Sequence, residues 1–317
     1  MKKDLISVKD LTTQEIEELF NLAVKLKRDK TKFNKALSGK TLALIFQKPS
    51  NRTRVSFEVG MYQLGGNSVY LSPSEINLGV RETIKDAAKT ISRYVDGIVL
   101  RTFEHKNCLD MAQAAGVPVI NGLSDFSHPC QALADLFTIG EKFSRLSHAG
   151  QKVARRLKGL TLAYVGDGNN VCNSLLFAAA KTGMNIVVAT PAGYAPDSEV
   201  VKQSKEIAEE TLSQITITQD PLSAVNGAQV VYTDVWASMG QEEEINKRKI
   251  IFKDFQINAR LLTAAAPGAL VMHCLPAHRG EEITDEVMDS NNSIVFDQAE
   301  NRMHVQKAIL IKLLSKN

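Results

Sequence analysis

Cysteine is scarce in this chain and never closely paired. The four cysteines stand at 108, 130, 172 and 274 of 317 residues. None forms a Cys-x-x-Cys pair, so neither a structural zinc site nor a disulfide framework is suggested. A reducing compartment fits: the cytoplasm, or the mitochondrial matrix for a protein shorn of its presequence. Charge of one sign is missing as well. The formal net charge is +3, too small and too dispersed to argue for nucleic acid or a membrane surface as partner. No apolar run approaches the length of a membrane span. Met1-Lys2-Lys3-Asp4 leads into an acid-rich helix without an apolar signal core. There is one Trp, and no repeat or low-complexity segment is visible.

What is present suits globular cores. Apolar content is 44%, and the length is enough for two domains. Thr12-Thr13-Gln14-Glu15 is a capping box. Ile16, Leu19, Phe20, Ala23 and Leu26 then share one helical face. Beyond it, short apolar strands alternate with helices. A first series of strands falls at 41–46, 68–71, 97–100 and 117–120, with helices such as 83–94 and 107–115 between them. A second falls at 160–165, 185–189, 215–218, 229–233, 270–273 and 294–296. Such alternation predicts parallel sheet with helices on both faces. A polar, basic stretch, 141–158, separates the two series. The expected fold class is therefore α/β, with two doubly wound parallel-sheet domains and an active-site cleft between them. The expected domains are 1–145 and 146–299. A last helix from about Asn301 to Leu314, within 300–317, is expected to pack back on the first domain.

In open α/β sheets, ligands bind beyond the carboxyl ends of the strands. The strand at 41–46 is followed by Gln47-Lys48-Pro49-Ser50-Asn51-Arg52-Thr53-Arg54. Pro49 bars helix before it, so a helix should start near Ser50, with Val55, Val59, Met61 and Leu64 as its inner side. Free N–H groups at that start favour an anion, and arginine adds bidentate donors for phosphate oxygens. The plainer reading is an N-capped helix with solvated arginines. The other strand ends of the first half deliver Arg101 and, in the loop after Ile120, His128. His128-Pro129-Cys130-Gln131 opens an apolar helix. Pro129 fits its first position, which puts His128 at the cap. Helix-end potential disfavours imidazolium there, so a neutral His128 can donate to a carbonyl oxygen, and Gln131 can reach the same place. A capping histidine without chemistry is the alternative.

The second half delivers mostly acceptors: Asp167-Gly168-Asn169-Asn170, then Asp234, then His273-Cys274. A dinucleotide reading of 166–171 fails, because Val171 stands where the third glycine belongs and no acid ends the next strand. Asp234 ends a buried strand, where an unpaired carboxylate is costly. It should meet a cation such as a substrate ammonium, or else cap the next helix. His273, Cys274 and His278 alone do not make a metal site, and a buried Cys acting as a small hydrophobe is the stronger reading. No metal is expected. An anion half and an amine half suggest group transfer between two small substrates.

With these segments in hand, the chain resembles the ornithine carbamoyltransferases of the aspartate/ornithine carbamoyltransferase superfamily over nearly its whole length. Ser50 to Arg54 is similar to the carbamoyl-phosphate signature of all transcarbamoylases. The segments 125–131, 234–240 and 273–280 are similar to ones particular to the ornithine branch. The resemblance implies carbamoyl phosphate binding by Ser50, Asn51, Arg52, Thr53, Arg101, His128 and Gln131. Cys274 and Leu275 then sit beside the transferred group, and Arg302 contacts the carbamoyl end. Asn77 comes from a neighbouring subunit. Ornithine falls to Asn170, Asp234, Ser238 and Met239, and catalysis to Arg101, His128, Asp234 and Cys274. The family needs no cofactor and forms homotrimers or multiples of them. Its reaction yields citrulline, in arginine biosynthesis or in reverse in arginine breakdown. The rivals are a transcarbamoylase for another amine, such as a modified ornithine or putrescine, and a catalytically silent homologue. Two departures stand out. Asn51 stands where the family usually has Thr, and Asn77-Leu78-Gly79-Val80-Arg81-Glu82 stands where many members show Gln-Leu-Gly-Arg-Gly-Glu.

Overall fold

The computed structural model describes residues 3–29, 31–80, 82–143, 152–237 and 244–315. The chain forms two compact units, Met1–Phe137 with Glu300–Asn317, and Thr138–Ala299.

The first unit opens with the capping box at Thr12, whose side chain accepts from the Glu15 N–H while the Glu15 carboxylate accepts from the Thr12 N–H. It starts α1 (Thr13–Arg28), with Ile16, Leu19, Phe20, Ala23 and Leu26 buried. There follow β1 (Thr41–Phe46), α2 (Asn51–Gln63), β2 (Asn67–Leu71), α3 (Pro73–Ile76), α4 (Ile84–Ile91), β3 (Gly97–Arg101), α5 (His105–Ala114), β4 (Val119–Leu123) and α6 (Pro129–Lys142). The strands are all parallel, in the order β2-β1-β3-β4. Every residue of β3 is buried, as befits a parallel strand covered on both faces. Ala43, Ile45, Ile98 and Leu100 pack with Ala87, Ala88 and Met111 in one core cluster.

The inner side of α2 differs from the expected one. Thr53, Phe57, Gly60 and Met61 are buried, as is Leu64 just beyond. Val55 and Val59 are 54% and 37% exposed, and Tyr62 is 80% exposed. The buried set recurs every three or four residues from Thr53, the helical period. Val55, Val59 and Tyr62 keep the same period on another face.

The second unit has a 3-10 turn at Val153–Arg156, then β5 (Thr161–Val165), α7 (Asn170–Thr182), β6 (Asn185–Ala189), α8 (Ser198–Thr211), β7 (Ile215–Thr218), α9 (Pro221–Val225), β8 (Val230–Thr233), α10 (Ile245–Ile251), α11 (Ala259–Leu262), β9 (Leu270–His273) and α12 (Asp285–Met288); α13 (Val295–Leu314) begins in this unit and belongs to the first from Glu300 onward. Its five strands are parallel, in the order β7-β6-β5-β8-β9. The strand expected at 294–296 is absent. Ser293 makes a single bridge to Val271, and the chain then turns into α13, which begins at Val295 rather than near Asn301. The Gln298 N–H already bonds the Ile294 carbonyl. Ile294 and Val295 are buried while Phe296 is 70% exposed, a sequence of burial that suits a helix start and not the alternation of a strand. Among the described residues, no helix is long and apolar enough to cross a membrane.

Strand order reverses direction between β1 and β3 in the first sheet, and between β5 and β8 in the second. These switch points are where open sheets leave a crevice for ligand. The polar segments after β1, β3, β5 and β8 all begin there.

Candidate active-site groups at the strand ends

In the first unit, Ser50 is the N-cap of α2, and its side chain accepts from the Thr53 N–H. Its Oγ also donates to Thr53 Oγ1 at 3.2 Å. Thr53 Oγ1 accepts from Arg302 Nη2 at 2.8 Å, which brings α13 to the seat. Register pairs Phe46 with Arg101, so β3 ends beside the start of this loop. Arg101 is buried and donates from Nε to the Lys48 carbonyl at 3.2 Å. His128 is buried just before Pro129, and its carbonyl accepts from the Gln131 and Ala132 N–H groups.

His128 is held well below the ordinary imidazole range, first by burial and then by the positive charges of Arg302, Arg101 and Arg52. It is therefore neutral near pH 7. Arg302, Arg101 and Arg52 are thus the positive charges that act on His128. Cationic groups beside a helix N-terminus, with a neutral imidazole near them, suit an acyl phosphate.

Gln131 is buried, and its amide donates to Asp135 Oδ1 at 2.8 Å. Asn51 is exposed as the first residue of α2. Asn77 is exposed at the C-cap of α3, in the left-handed region with φ 38°. Burial pushes the Cys130 thiol up to about 12, so it stays protonated.

In the second unit, Asp234 is the centre. The chain's own groups that meet it are neutral donors. Asp234 Oδ2 accepts from Asn169 Nδ2 at 2.8 Å, and Oδ1 accepts from Cys274 Sγ at 2.9 Å and from the Val235 N–H at 2.8 Å. Neutral donors satisfy this buried carboxylate, which is the alternative to an ion pair. Asn169 is the N-cap of α7, with its side-chain oxygen on the Val171 and Cys172 N–H groups. Asn170 follows as the first residue of that helix. Ser238 and Met239 lie outside the described residues.

The Cys274 turn is held from behind. The Leu275 N–H donates to His273 Nδ1 at 2.8 Å, so His273 carries its proton on Nε2 and donates to Glu282 Oε1 at 3.0 Å. Glu282 is fully buried and also accepts from the His278 N–H. Leu275 takes a left-handed φ of 60°, and the Leu275–Pro276 bond is cis. Asp234, His273 and Cys274 have potential ligand atoms close enough to share a metal ion. However, both His273 nitrogens are engaged, and only Asp234 and Cys274 remain. In the other such group, His278, Glu281 and Glu282, Glu281 pairs with Lys249 at 2.8 Å.

Sequence reasoning did not assign Asn169, Glu282 or Arg248. Arg248 donates to Asp167 Oδ2 at 3.0 Å and to the Trp236 carbonyl at 2.8 Å, and its guanidinium lies over the Tyr194 ring. Burial still dominates Asp167, whose carboxyl is raised to about 6 despite Arg248. The pair ties the segment after β8 to the end of β5.

The chain matches two family models. Residues 3–141 match the carbamoyl-P binding domain of aspartate/ornithine carbamoyltransferase, and residues 158–313 match its Asp/Orn binding domain. It is 53% identical over 310 residues to an ornithine carbamoyltransferase of Thermococcus kodakarensis, covering 97% of this chain and 95% of the relative. It is 52% identical over 310 residues to an ornithine carbamoyltransferase of Pyrococcus furiosus named anabolic, with the same coverage. The solved structure of ornithine carbamoyltransferase from Pyrococcus furiosus superposes with a TM-score of 0.93, at 51% identity, covering 99% of this chain and 97% of that one. With family models covering residues 3–141 and 158–313, and relatives more than 50% identical over nearly the whole length, the chain belongs to the aspartate/ornithine carbamoyltransferase family.

Proposed function

We propose that this chain transfers the carbamoyl group of carbamoyl phosphate to the δ-amine of L-ornithine, giving L-citrulline and phosphate. The observation that carries the choice of ornithine is Asp234. A buried carboxylate at a switch point suits a cationic amine substrate and would repel the carboxylates of aspartate. A carboxylate offers about four lone-pair sites, and three donors occupy those of Asp234. One site is left for an N–H of the substrate. Full-length similarity to proteins named ornithine carbamoyltransferase supports the same reading.

The neutral δ-amine attacks the carbonyl carbon. Negative charge grows on the carbonyl oxygen, where Thr53, neutral His128 and Arg101 stabilise it as an oxyanion hole does. Arg302 and Gln131 steady the carbamoyl end. The bond from the carbon to the phosphate oxygen then breaks. Charge accumulates on the leaving phosphate, where Ser50, Arg52 and the first N–H groups of α2, beginning at Asn51, receive it. Asp234 and Cys274 orient the amine, and the proton it sheds passes to the departing phosphate, with Leu275 beside the transferred group. Asn170, Ser238 and Met239 hold the rest of ornithine. The direction is biosynthetic, as the name of the Pyrococcus furiosus relative supports. Free thiols at all four cysteines suit a reducing compartment such as the cytoplasm.

The assembly is a homotrimer or a multiple of it, with Asn77 lent to a neighbour's site. The exposed stripe of Val55, Val59 and Tyr62 on α2 supports such an interface. Purified protein should make citrulline from carbamoyl phosphate and ornithine with no added metal or nucleotide. Turnover of aspartate instead, or an absolute requirement for either additive, overturns this reading.

A further inference from the structure

Gln47 lies at the carboxyl end of β1, yet neither the expected substrate contacts nor the mechanism above uses it. Its side chain touches three other segments. Nε2 donates to the Leu78 carbonyl at 2.9 Å. Oε1 accepts from Thr102 Oγ1 and, at 3.4 Å, from Asn107 Nδ2. Asn107 Nδ2 also donates to Thr102 Oγ1 at 2.9 Å. The orientation of the amide is settled by chemistry. A carbonyl only accepts, so the NH2 group must face Leu78, and the oxygen must face the two donors.

Each segment so joined matters to the seat. The Gln47 N–H donates to the Arg101 carbonyl at 2.7 Å, and Arg101 donates to the carbonyl of Lys48. Thr102 directly follows Arg101. Leu78 directly follows Asn77, the left-handed cap of α3. Ile76 and Leu78 are buried in the core of the first unit, so the segment has apolar anchors on both sides of Asn77. Besides these anchors, the Gln47 amide makes a side-chain link from this segment to the loop that carries Ser50.

We infer that Gln47 is a positioning residue, whose amide couples the carbamoyl-phosphate seat to the segment 77–80 so that the placement of Asn77 follows the seat. The inference rests on the proposed reading that the seat takes carbamoyl phosphate and that Asn77 serves a site.

Two variants separate the two ends of the amide. Gln47→Glu keeps an oxygen for Thr102 and Asn107 and loses the donor to Leu78. Gln47→Leu loses both. Hydrogen exchange on the full-length protein, with and without inorganic phosphate, reads the coupling without requiring turnover. In Gln47→Glu, the 77–80 amides should exchange about fivefold faster, the effect of losing one neutral hydrogen bond. Those of Lys48, Ser50 and Asn51 should keep their wild-type rates. In Gln47→Leu both segments should exchange faster. KM for carbamoyl phosphate should rise about fivefold in Gln47→Glu, with kcat and the ornithine KM within about twofold. Wild-type exchange at 77–80 in Gln47→Glu overturns the inference. So does a uniform rise across the first unit with equal loss for both substrates, which marks a merely structural role. If wild type makes no citrulline, the proposed function fails, while exchange at 77–80 still reports on the link itself.

Discussion

Asn169 and Asp234 share a hydrogen bond of 2.8 Å from the Asn169 amide to Asp234 Oδ2. The same side chain caps α7 with its oxygen. One residue thus fixes both a helix start and the plane of the carboxylate. Asn169→Asp keeps the cap and puts a second carboxylate where the donor stood. The ornithine KM should rise more than about tenfold, since a buried acceptor loses its partner and gains a like charge. Asn169→Ala loses the donor and about 1 kcal/mol of cap but adds no charge, so its ornithine KM should rise less. Equal kinetic damage to both substrates would show that Asn169 only supports the fold.

Arg52→Ala removes charge-assisted donors from the seat, each worth roughly 1.5–3 kcal/mol. The expected loss in kcat/KM for carbamoyl phosphate is about 10- to 150-fold, with circular dichroism unchanged. Near-normal kinetics would place the anion elsewhere.

His128 gives a signed dependence of stability on pH. Its folded pKa lies well below 6.5, so it stays neutral while the unfolded chain takes up a proton. Stability should fall as pH drops below about 6.5. His105 and His304 are also lowered, first by burial, and act in the same direction. Urea unfolding of His128→Gln should therefore show a slope shallower by up to about 1.4 kcal/mol per pH unit. An unchanged slope between pH 6.5 and 5 would mean that His128 protonates freely in the folded state.

The exposed stripe of α2 predicts the effect of Tyr62→Asp. A charge in the centre of an apolar contact should shift the protein toward lower mass in sedimentation, with each chain still folded. An unaltered assembly would put the interface on another surface.

Shared sites have their own test. Asp234→Ala and Asn77→Ala should each be weak alone. Dissociated and mixed equally, they should regenerate about a quarter of the sites with both groups intact. If mixed trimers form and no activity returns, Asn77 serves no neighbour.

Much of the fold was legible because parallel strands announce themselves as buried apolar runs. At 294–296 the sequence is ambiguous, because three apolar residues cannot tell a strand from a helix start. On α2, Val55 and Val59 were assigned inward for being apolar, although the period running from Thr53 through Phe57 and Gly60 pointed elsewhere. In the candidate site, Pro129 made the position of His128 readable through its fixed place in a first helical turn. Adjacent Asn169 and Asn170 offered no such cue, since either can cap. Arg248 sits in a basic run between Lys247 and Lys249, and only folding shows that it turns inward to Asp167. Gln47 had no signal at all, because its partners are 31 to 60 residues away.

Helix α2 is a rod of 13 residues, about 20 Å long. Its first turn lies in the seat, and its outer stripe ends at Tyr62. A rod that tilts about its middle moves at both ends. A substitution at Tyr62 that tilts the helix by a few degrees moves the N–H groups near Ser50 by an appreciable fraction of an ångström, enough to matter for a phosphate. Surface drift on this face is therefore leveraged into substrate affinity, and variants selected only for altered assembly should carry altered carbamoyl-phosphate KM values with every residue of the seat intact.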